Sequence, residues 1–496
     1  MFAANGVRSP SNVPPLDSYH QYFPLGRYYA KTIQISSHCT LELLDNCGRN
    51  SSSFVEQIGR ILQSEAHQLK VFKLQESPDS IITHLNRLSL SPAAPNLETL
   101  VIKSDNDERT SDAVSPSVPA SLLMERAPRL RTLEVTGCQG FWDISNIGVW
   151  HELTHLHVST SFQMNDGKET FLGTMKSMPH LTSLYLDVPL LTHRAAEAPQ
   201  AAFSPAKLPC LKTVTLHAKI PDCAELLRHL SLPSSATLYM KCPANPNGAG
   251  DTTGYAQLQT SLALAWLSGP LSEESQSAII LPEFQSCRLQ GGSDHIANTL
   301  HPWFTDIDFT KPNTVPVPPF SFEFIPERQM RGYFSTFLSS WLPHSIKSLT
   351  TIDIFAPHIG ECLAQISGIT MLKRIAVSGR DIAHFLFYLT ADPALRVKKI
   401  AASTAGPTMP VCLPQLEVMQ IFRTDFNGGL GPVNFADIRR LLEKRRAVGY
   451  PLKRLEFINC KGLPVDEHPK SYFRGVVTII QRNGRREGLN GSRTGR

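Results

Sequence analysis

The chain has 496 residues, 42% of them hydrophobic and 18% charged. It is long enough for two or three globular domains or one extended array, and too apolar for a disordered or acidic solvating chain. Of the formal net charge of +5, a surplus of four lies beyond residue 481, where Arg482, Arg485, Arg486, Arg493 and Arg496 are opposed only by Glu487. The near-neutral remainder lacks the basic face of a nucleic-acid-binding fold.

Residues 1–30 are rich in Pro, Ser and Tyr and read as an irregular N-terminal segment. They lack the charged start and apolar run of a signal peptide. No stretch of the chain approaches the length of a membrane span. Asn50-Ser51-Ser52 fits a glycosylation acceptor; without a secretory route the match is read as chance. The ten cysteines are scattered with no CxxC pair. That spacing suits reduced thiols in a cytoplasmic or nuclear protein and gives no zinc or redox signature.

From residue 31 the spacing predicts a strand at Ile33–Ile35, then a helix carrying Val55, Ile58, Ile61 and Leu62. A short pattern then recurs: apolar, two variable residues, apolar, one variable, apolar. Its clear copies are Leu97/Leu100/Ile102, Leu130/Leu133/Val135, Leu153/Leu156/Val158, Leu181/Leu184/Leu186 and Leu211/Val214/Leu216. A weaker copy is Leu69/Phe72/Leu74. Proline stands two residues before the first leucine at Pro95, Pro128, Pro179 and Pro209. It reads there as closing the preceding segment, because proline cannot continue a helix. Successive starts are 33, 23, 28 and 30 residues apart, straddling the leucine-rich-repeat range of about 20–29. Phe171, Leu172 and Met175 share one face of a predicted helix before Leu181. Together these residues define a first repeat block over 31–240.

Residues 241–327 read as an irregular insertion or degenerate repeats. A Gly/Pro-rich loop covers 241–256, an apolar helix follows near Leu258–Leu267, and Ile307/Phe309 is a candidate weak repeat. A second block spans 328–475, opening with a helix that carries Met330, Phe334, Phe337, Leu338 and Trp341. Its repeats are Leu349/Ile352/Ile354, Leu372/Ile375/Val377, Leu416/Met419/Ile421 (with Pro414) and Leu452/Leu455/Phe457, with a weak copy at Val397/Ile400/Ala402. Predicted helices carry Ile382, Phe385, Leu386 and Leu389, and Phe435, Ile438, Leu441 and Leu442 behind Asn434 as N-cap. Residues 476–496 read as a basic disordered tail. Strand–helix–strand at this spacing demands parallel strands. The expected fold is therefore an α/β leucine-rich-repeat solenoid of ribonuclease-inhibitor type, with parallel strands on the concave face and helices on the convex face.

The residue patterns of catalysis are missing. No P-loop and no GxSxG elbow occurs. Asp251-Thr252-Thr253-Gly254 has one residue too many for an aspartic-protease loop and reads as a turn. His155 and His157 share a strand face, with His151 and His180 near in sequence, but nothing completes a metal site. The chain is expected to be no enzyme and to need no cofactor or metal. The variable residue between the last two apolar positions of each repeat points to the opposite face from them. Those residues form a candidate partner-binding row: Glu134, His157, Tyr185, Thr215, Asp353, Ala376, Gln420 and Glu456. The row mixes acid, imidazole, phenol and amide, the character of a protein-recognition surface.

The repeats APNLETLVI (94–102), APRLRTLEV (127–135) and MPHLTSLYL (178–186), with the closing unit at 438–460, resemble those of the F-box/leucine-rich-repeat-like proteins of basidiomycete fungi. The resemblance implies non-catalytic recognition of another protein, as in the substrate-binding subunits of cullin-type ubiquitin ligases. In that family an F-box docks a Skp-type adaptor. The first 30 residues here show no Leu-Pro-x-Glu-type opening, so such docking is expected only through an F-box upstream. The remaining expectation is an interaction scaffold unrelated to ubiquitin, contacting neither membrane nor nucleic acid.

Overall fold

In the computed structural model, the described residues are 32–35, 40–44, 66–76, 81–86, 94–104, 127–138, 150–160, 168–187, 205–262 apart from 234 and 244–251, 264–265, 285–290, 298–303, 315–325, 351–355, 371–378, 413–422, 435–462 and 477–482, with the single positions 116, 118, 307, 382, 389, 424, 426 and 473. The fold class is mixed α/β, with extensive, mostly parallel sheet and few helices among these residues. The chain divides into two compact units, Met1–Leu211 and Lys212–Arg496.

In the first unit β1 (Thr32–Ile35) pairs antiparallel with β2 (Thr40–Leu44). From β2 every step is parallel: β3 (Val71–Glu76), β4 (Thr99–Ser104), β5 (Thr132–Thr136), β6 (His155–Ser159) and β7 (Ser183–Asp187). The repeat sets the register. Phe72, Leu100, Leu133, Leu156 and Leu184 are Cα partners in turn, as are Leu74, Ile102, Val135, Val158 and Leu186. All ten are buried. Alternation puts both apolar positions of each strand on one face. Each buried side chain stabilises the fold by about 1.5–3 kcal/mol.

The prolines also shape the entry to each strand. The Leu97 N–H donates to the Ala94 carbonyl at 3.1 Å, Leu130 to Ala127 at 3.1 Å, Leu181 to Met178 at 3.2 Å, Leu211 to Leu208 at 3.2 Å and Leu416 to Leu413 at 3.1 Å. Each is the bond of a four-residue turn with proline at its second position, where a fixed φ near −65° is already correct. The proline therefore shapes a turn into the strand. The residue that opens each turn (Ala94, Ala127, Met178, Leu208, Leu413) is buried, a fourth core position of the repeat. At Trp150–Leu153 the same turn bond spans 3.3 Å, with His151 in the proline's place. Trp150 and His151 are helical, and proline disfavours helical backbone in the residue before it. Neighbouring turns are tied laterally. The Glu98 and Thr99 N–H groups both donate to Lys70 O, Arg131 and Thr132 to Glu98 O, and Thr154 and His155 to Arg131 O. Asn96 Nδ2 donates to His67 O at 2.9 Å, and Arg129 donates to Asn96 Oδ1 at 3.2 Å.

α1 (Lys168–Lys176) precedes β7 and buries Phe171, Leu172 and Met175 as expected from their spacing. The expected helix over Val55–Leu62 lies outside the described residues, as do the Val397 repeat, the helix opening at Met330, and Asn434.

The second unit begins with β8 (Thr213–His217), paired in parallel with β9 (Thr237–Pro243). Between them α2 (Ile220–Arg228), with Pro221 in its first turn, buries Cys223, Ala224, Leu226 and Leu227 and packs against α3 (Thr252–Leu262). The helix thus starts inside the segment expected to be a Gly/Pro loop, and Thr252–Gly254 is helical rather than a turn. The remainder of 241–327 supplies three strands: β10 (Ser286–Gln290), β11 (Asn298–Trp303) and β12 (Phe320–Ile325). β9 pairs in parallel with β12, β12 antiparallel with β11, and β11 antiparallel with β10. Two reversals restore the direction, so β10 pairs in parallel with β13 (Thr351–Phe355). Ile307 is buried beside Trp303 without being part of a strand, and Phe309 lies outside the described residues.

The ladder continues in parallel through β14 (Arg374–Ser378), β15 (Val418–Phe422), β16 (Arg454–Ile458) and β17 (Thr478–Arg482). β17 falls inside the segment expected to be disordered. Composition flagged its arginines, but Thr478–Ile480 is strand-forming and finds an open strand edge on β16. α4 (Phe435–Ala447) buries Ile438, Leu441, Leu442 and Arg445. It ends in a Schellman motif: Tyr450 N donates to Arg445 O at 2.9 Å and Gly449 N to Arg446 O at 3.1 Å, with Gly449 at φ +86.

Candidate functional site

The face opposite the leucines carries one residue from each strand at each register level. In the first unit the central level runs Glu42, Lys73, Val101, Glu134, His157, Tyr185. The structure brings together three of the expected partner-binding residues. The His157 and Tyr185 rings stack with centroids 4.0 Å apart and planes at 27°. His157 Nδ1 lies 3.7 Å from Glu134 Oε1, and Lys103 Nζ lies 2.9 Å from the same oxygen. The next level on this face, two residues on, adds Lys103, Thr136, Ser159 and Asp187; Ser159 Oγ donates to Asp187 Oδ2 at 3.1 Å.

Burial, the largest influence, lowers the pKa of His157; Glu134 and Asp187 oppose it and Lys103 reinforces it. The imidazole is therefore neutral at pH 7 and Lys103 is the ionic partner of Glu134. Burial, helped by Asp187, raises the pKa of Tyr185, which keeps its phenol protonated. The site thus presents a stacked neutral aromatic pair between a cation–carboxylate pair and a hydroxyl-bound carboxylate. It can stack on a flat group and exchange hydrogen bonds. Lys103, Ser159 and Asp187 did not emerge from the repeat pattern, although two-residue alternation along each strand places them on this face.

In the second unit Thr215 pairs with Tyr239, and Tyr239 with Ser321. His301 Nδ1 is 2.9 Å from Ser321 Oγ. His301 pairs with Arg288, Arg288 with Asp353, Asp353 with Ala376, Ala376 with Gln420 and Gln420 with Glu456. Burial, then Arg288, lowers the pKa of His301. Lys241 Nζ lies 3.6 Å from Glu323 Oε1, whose pKa burial raises against the opposing influence of His217. Tyr239, Ser321, His301 and Arg288 escaped the sequence reading because their strands lack the leucine spacing.

The far end of this row departs from expectation. Ala376, Gln420 and Glu456 are buried, the last with no exposed surface. Gln420 Nε2 donates to Glu456 Oε2 at 3.1 Å, and Arg454 Nε lies 2.7 Å from Glu456 Oε1, a close charge contact without hydrogen-bond alignment. Gln420 and Glu456 thus bind each other and are not open to a partner. A charge that leaves water needs a partner of its own, and Arg454 supplies it.

His155 is exposed with Nδ1 2.9 Å from Thr154 Oγ1, and His151 meets His180 edge-on with centroids 5.0 Å apart. Among the described residues no group of three or more His, Cys, Asp or Glu converges as a metal site would require. Among them, too, no helix is long and apolar enough to cross a membrane. No family model matches the chain, and a search of curated proteins finds no similar one.

Proposed function

We propose that the chain is a leucine-rich-repeat solenoid of ribonuclease-inhibitor type whose polar sheet face recognises another protein without catalysing a reaction. Parallel strands lie on its concave face and helices on the convex one. The observation that carries this reading is the half-exposed, register-aligned Glu134–His157–Tyr185 row with Lys103 and Asp187 beside it. Repeats that align residue for residue turn one position per repeat into a continuous contact strip. Mixed charge and a stacked ring pair suit protein recognition. The resemblance of the repeats to F-box/leucine-rich-repeat-like proteins extends the proposal. The chain acts in the cytoplasm or nucleus and is related to substrate-binding subunits of cullin-type ubiquitin ligases, with a Skp-type adaptor as partner where an F-box is supplied.

The test is affinity capture of the full chain from its own cells, with mass spectrometry of what co-purifies, in parallel with Tyr185→Ala/Glu134→Ala. Proteins held by the natural chain and lost from the double variant are expected, together with an adaptor and a cullin. Specific partners without adaptor or cullin make the protein a scaffold unrelated to ubiquitin. Identical capture by both forms removes the strip from the proposal.

A further inference from the structure

Cys223 lies on α2 and Cys242 on β9, 19 residues apart in the chain. β9 turns Leu238, Met240 and Cys242 into the core, and α2 buries Cys223, Leu226 and Leu227. Neither cysteine has exposed surface. Their sulfurs are 4.0 Å apart, and Cys223 Sγ donates to the Ala218 carbonyl at 3.7 Å. A thiol has one proton to give, so Cys242 is the donor between the two sulfurs. Other thiols are engaged differently: Cys138 donates to the Thr136 carbonyl at 3.6 Å and Cys460 to the Ile421 carbonyl at 3.2 Å. Between α2 and β9 one thiol is set against another. Shortening their separation to the disulfide bond length of about 2.05 Å takes about 1 Å of movement by each sulfur, the scale of a side-chain rotation.

We propose that Cys223 and Cys242 form a redox-responsive lock, in which oxidation by a hydroperoxide joins the two sulfurs and pins α2 to β9. The peroxide O–O bond breaks as one thiol becomes a sulfenic acid and the first water leaves. The second sulfur then attacks the sulfenic sulfur, the S–S bond forms, and the hydroxyl departs with the remaining thiol proton as a second water. Two electrons thus pass from the sulfurs to the peroxide. The closed protein keeps the pair reduced. Burial, with the Cys223 thiol and Asp222 acting in the same direction, pushes the Cys242 thiol well above its usual range, and the thiolate is the reactive form. Access comes at the start of α2, whose N-cap residue Lys219 makes no side-chain cap hydrogen bond. A helix end without that bond opens more readily than a capped one. The lock therefore answers to sustained peroxide and not to brief exposure. This inference does not depend on the polar strip of the first unit.

The test treats the purified, reduced full-length chain with hydrogen peroxide, alkylates its remaining thiols in denaturant and maps its peptides by mass spectrometry. A peptide pair joined through Cys223 and Cys242, lighter by two hydrogen atoms than the separate peptides, is expected, and dithiothreitol should restore both thiols. Amide hydrogen exchange in α2 should slow by about tenfold or more in the oxidised chain, because the cross-link closes a short loop around the helix. Cys242→Ala should lose both changes. If that variant folds poorly, the natural chain read before and after oxidation carries the test by itself. Recovery of both cysteines as free thiols or sulfinic acids, pairing of either with a different cysteine, or an unchanged exchange rate in α2 overturns the proposal.

Discussion

Gly137 and Gly449 share a left-handed backbone, at φ +70 and +86, but differ in what surrounds them. A Cβ on Gly137 would lie 2.9 Å from Ser104 Cβ and 3.0 Å from Ser104 O, whereas one on Gly449 meets nothing within 4 Å. Gly449→Ala should cost only the backbone penalty, about 1 kcal/mol. Gly137→Ala adds overpacking against a buried residue and should cost about 2–4 kcal/mol. Urea midpoints of the two variants check the order. Protonation offers a second test at this scale. His157 and His301 have folded pKa values below the unfolded value of about 6.5. The unfolded chain binds more protons there, so stability is full above that value and falls as pH drops through it. Unfolding midpoints should decline from pH 7.5 to 5.5. His157→Gln/His301→Gln should flatten the decline; an unchanged slope refutes the assignment.

Turns set the repeat at the level of elements. Pro95, Pro128, Pro179 and Pro414 occupy the same turn position ahead of β4, β5, β7 and β15. A proline whose φ already suits the native turn stabilises mainly by restricting the unfolded chain. Each Pro→Ala change should therefore cost about 0.4–1 kcal/mol. Pro128→Ala and Pro414→Ala lie in different units, so their effects should add in a double variant, as measured by denaturant unfolding.

Charge and fold class belong to the whole molecule. A body near neutrality apart from its arginine-rich end, and a strip that carries both signs of charge, predict a weak hold on a phosphate backbone. Fluorescence anisotropy at 150 mM salt should show no binding of single-stranded RNA by the chain lacking residues 483–496. The mixed α/β class and the parallel pairing were legible from leucine spacing, because strands recurring every 20–30 residues leave room for the crossover that parallel neighbours need. The meander at 286–325 was missed. β12 carried a period, with Phe320, Phe322 and Phe324 alternating with Ser321 and Glu323 behind the proline run, whereas Pro302 interrupts β11.

Which side chains are buried follows from the order of residues along the chain. An apolar residue every second position on a strand has one face to hide, and Leu100, Leu133, Leu156 and Leu184 had no other place to go. The same alternation determined that Glu134, His157 and Tyr185 would share a face. What that face exposes was decided only by tertiary packing. Sequence treats Glu134 and Glu456 alike, yet one is half-buried beside Lys103 and the other is enclosed with Gln420 and Arg454. Pattern records the direction a side chain points; accessibility depends on what else the chain packs against that direction, and residues distant in sequence supply it.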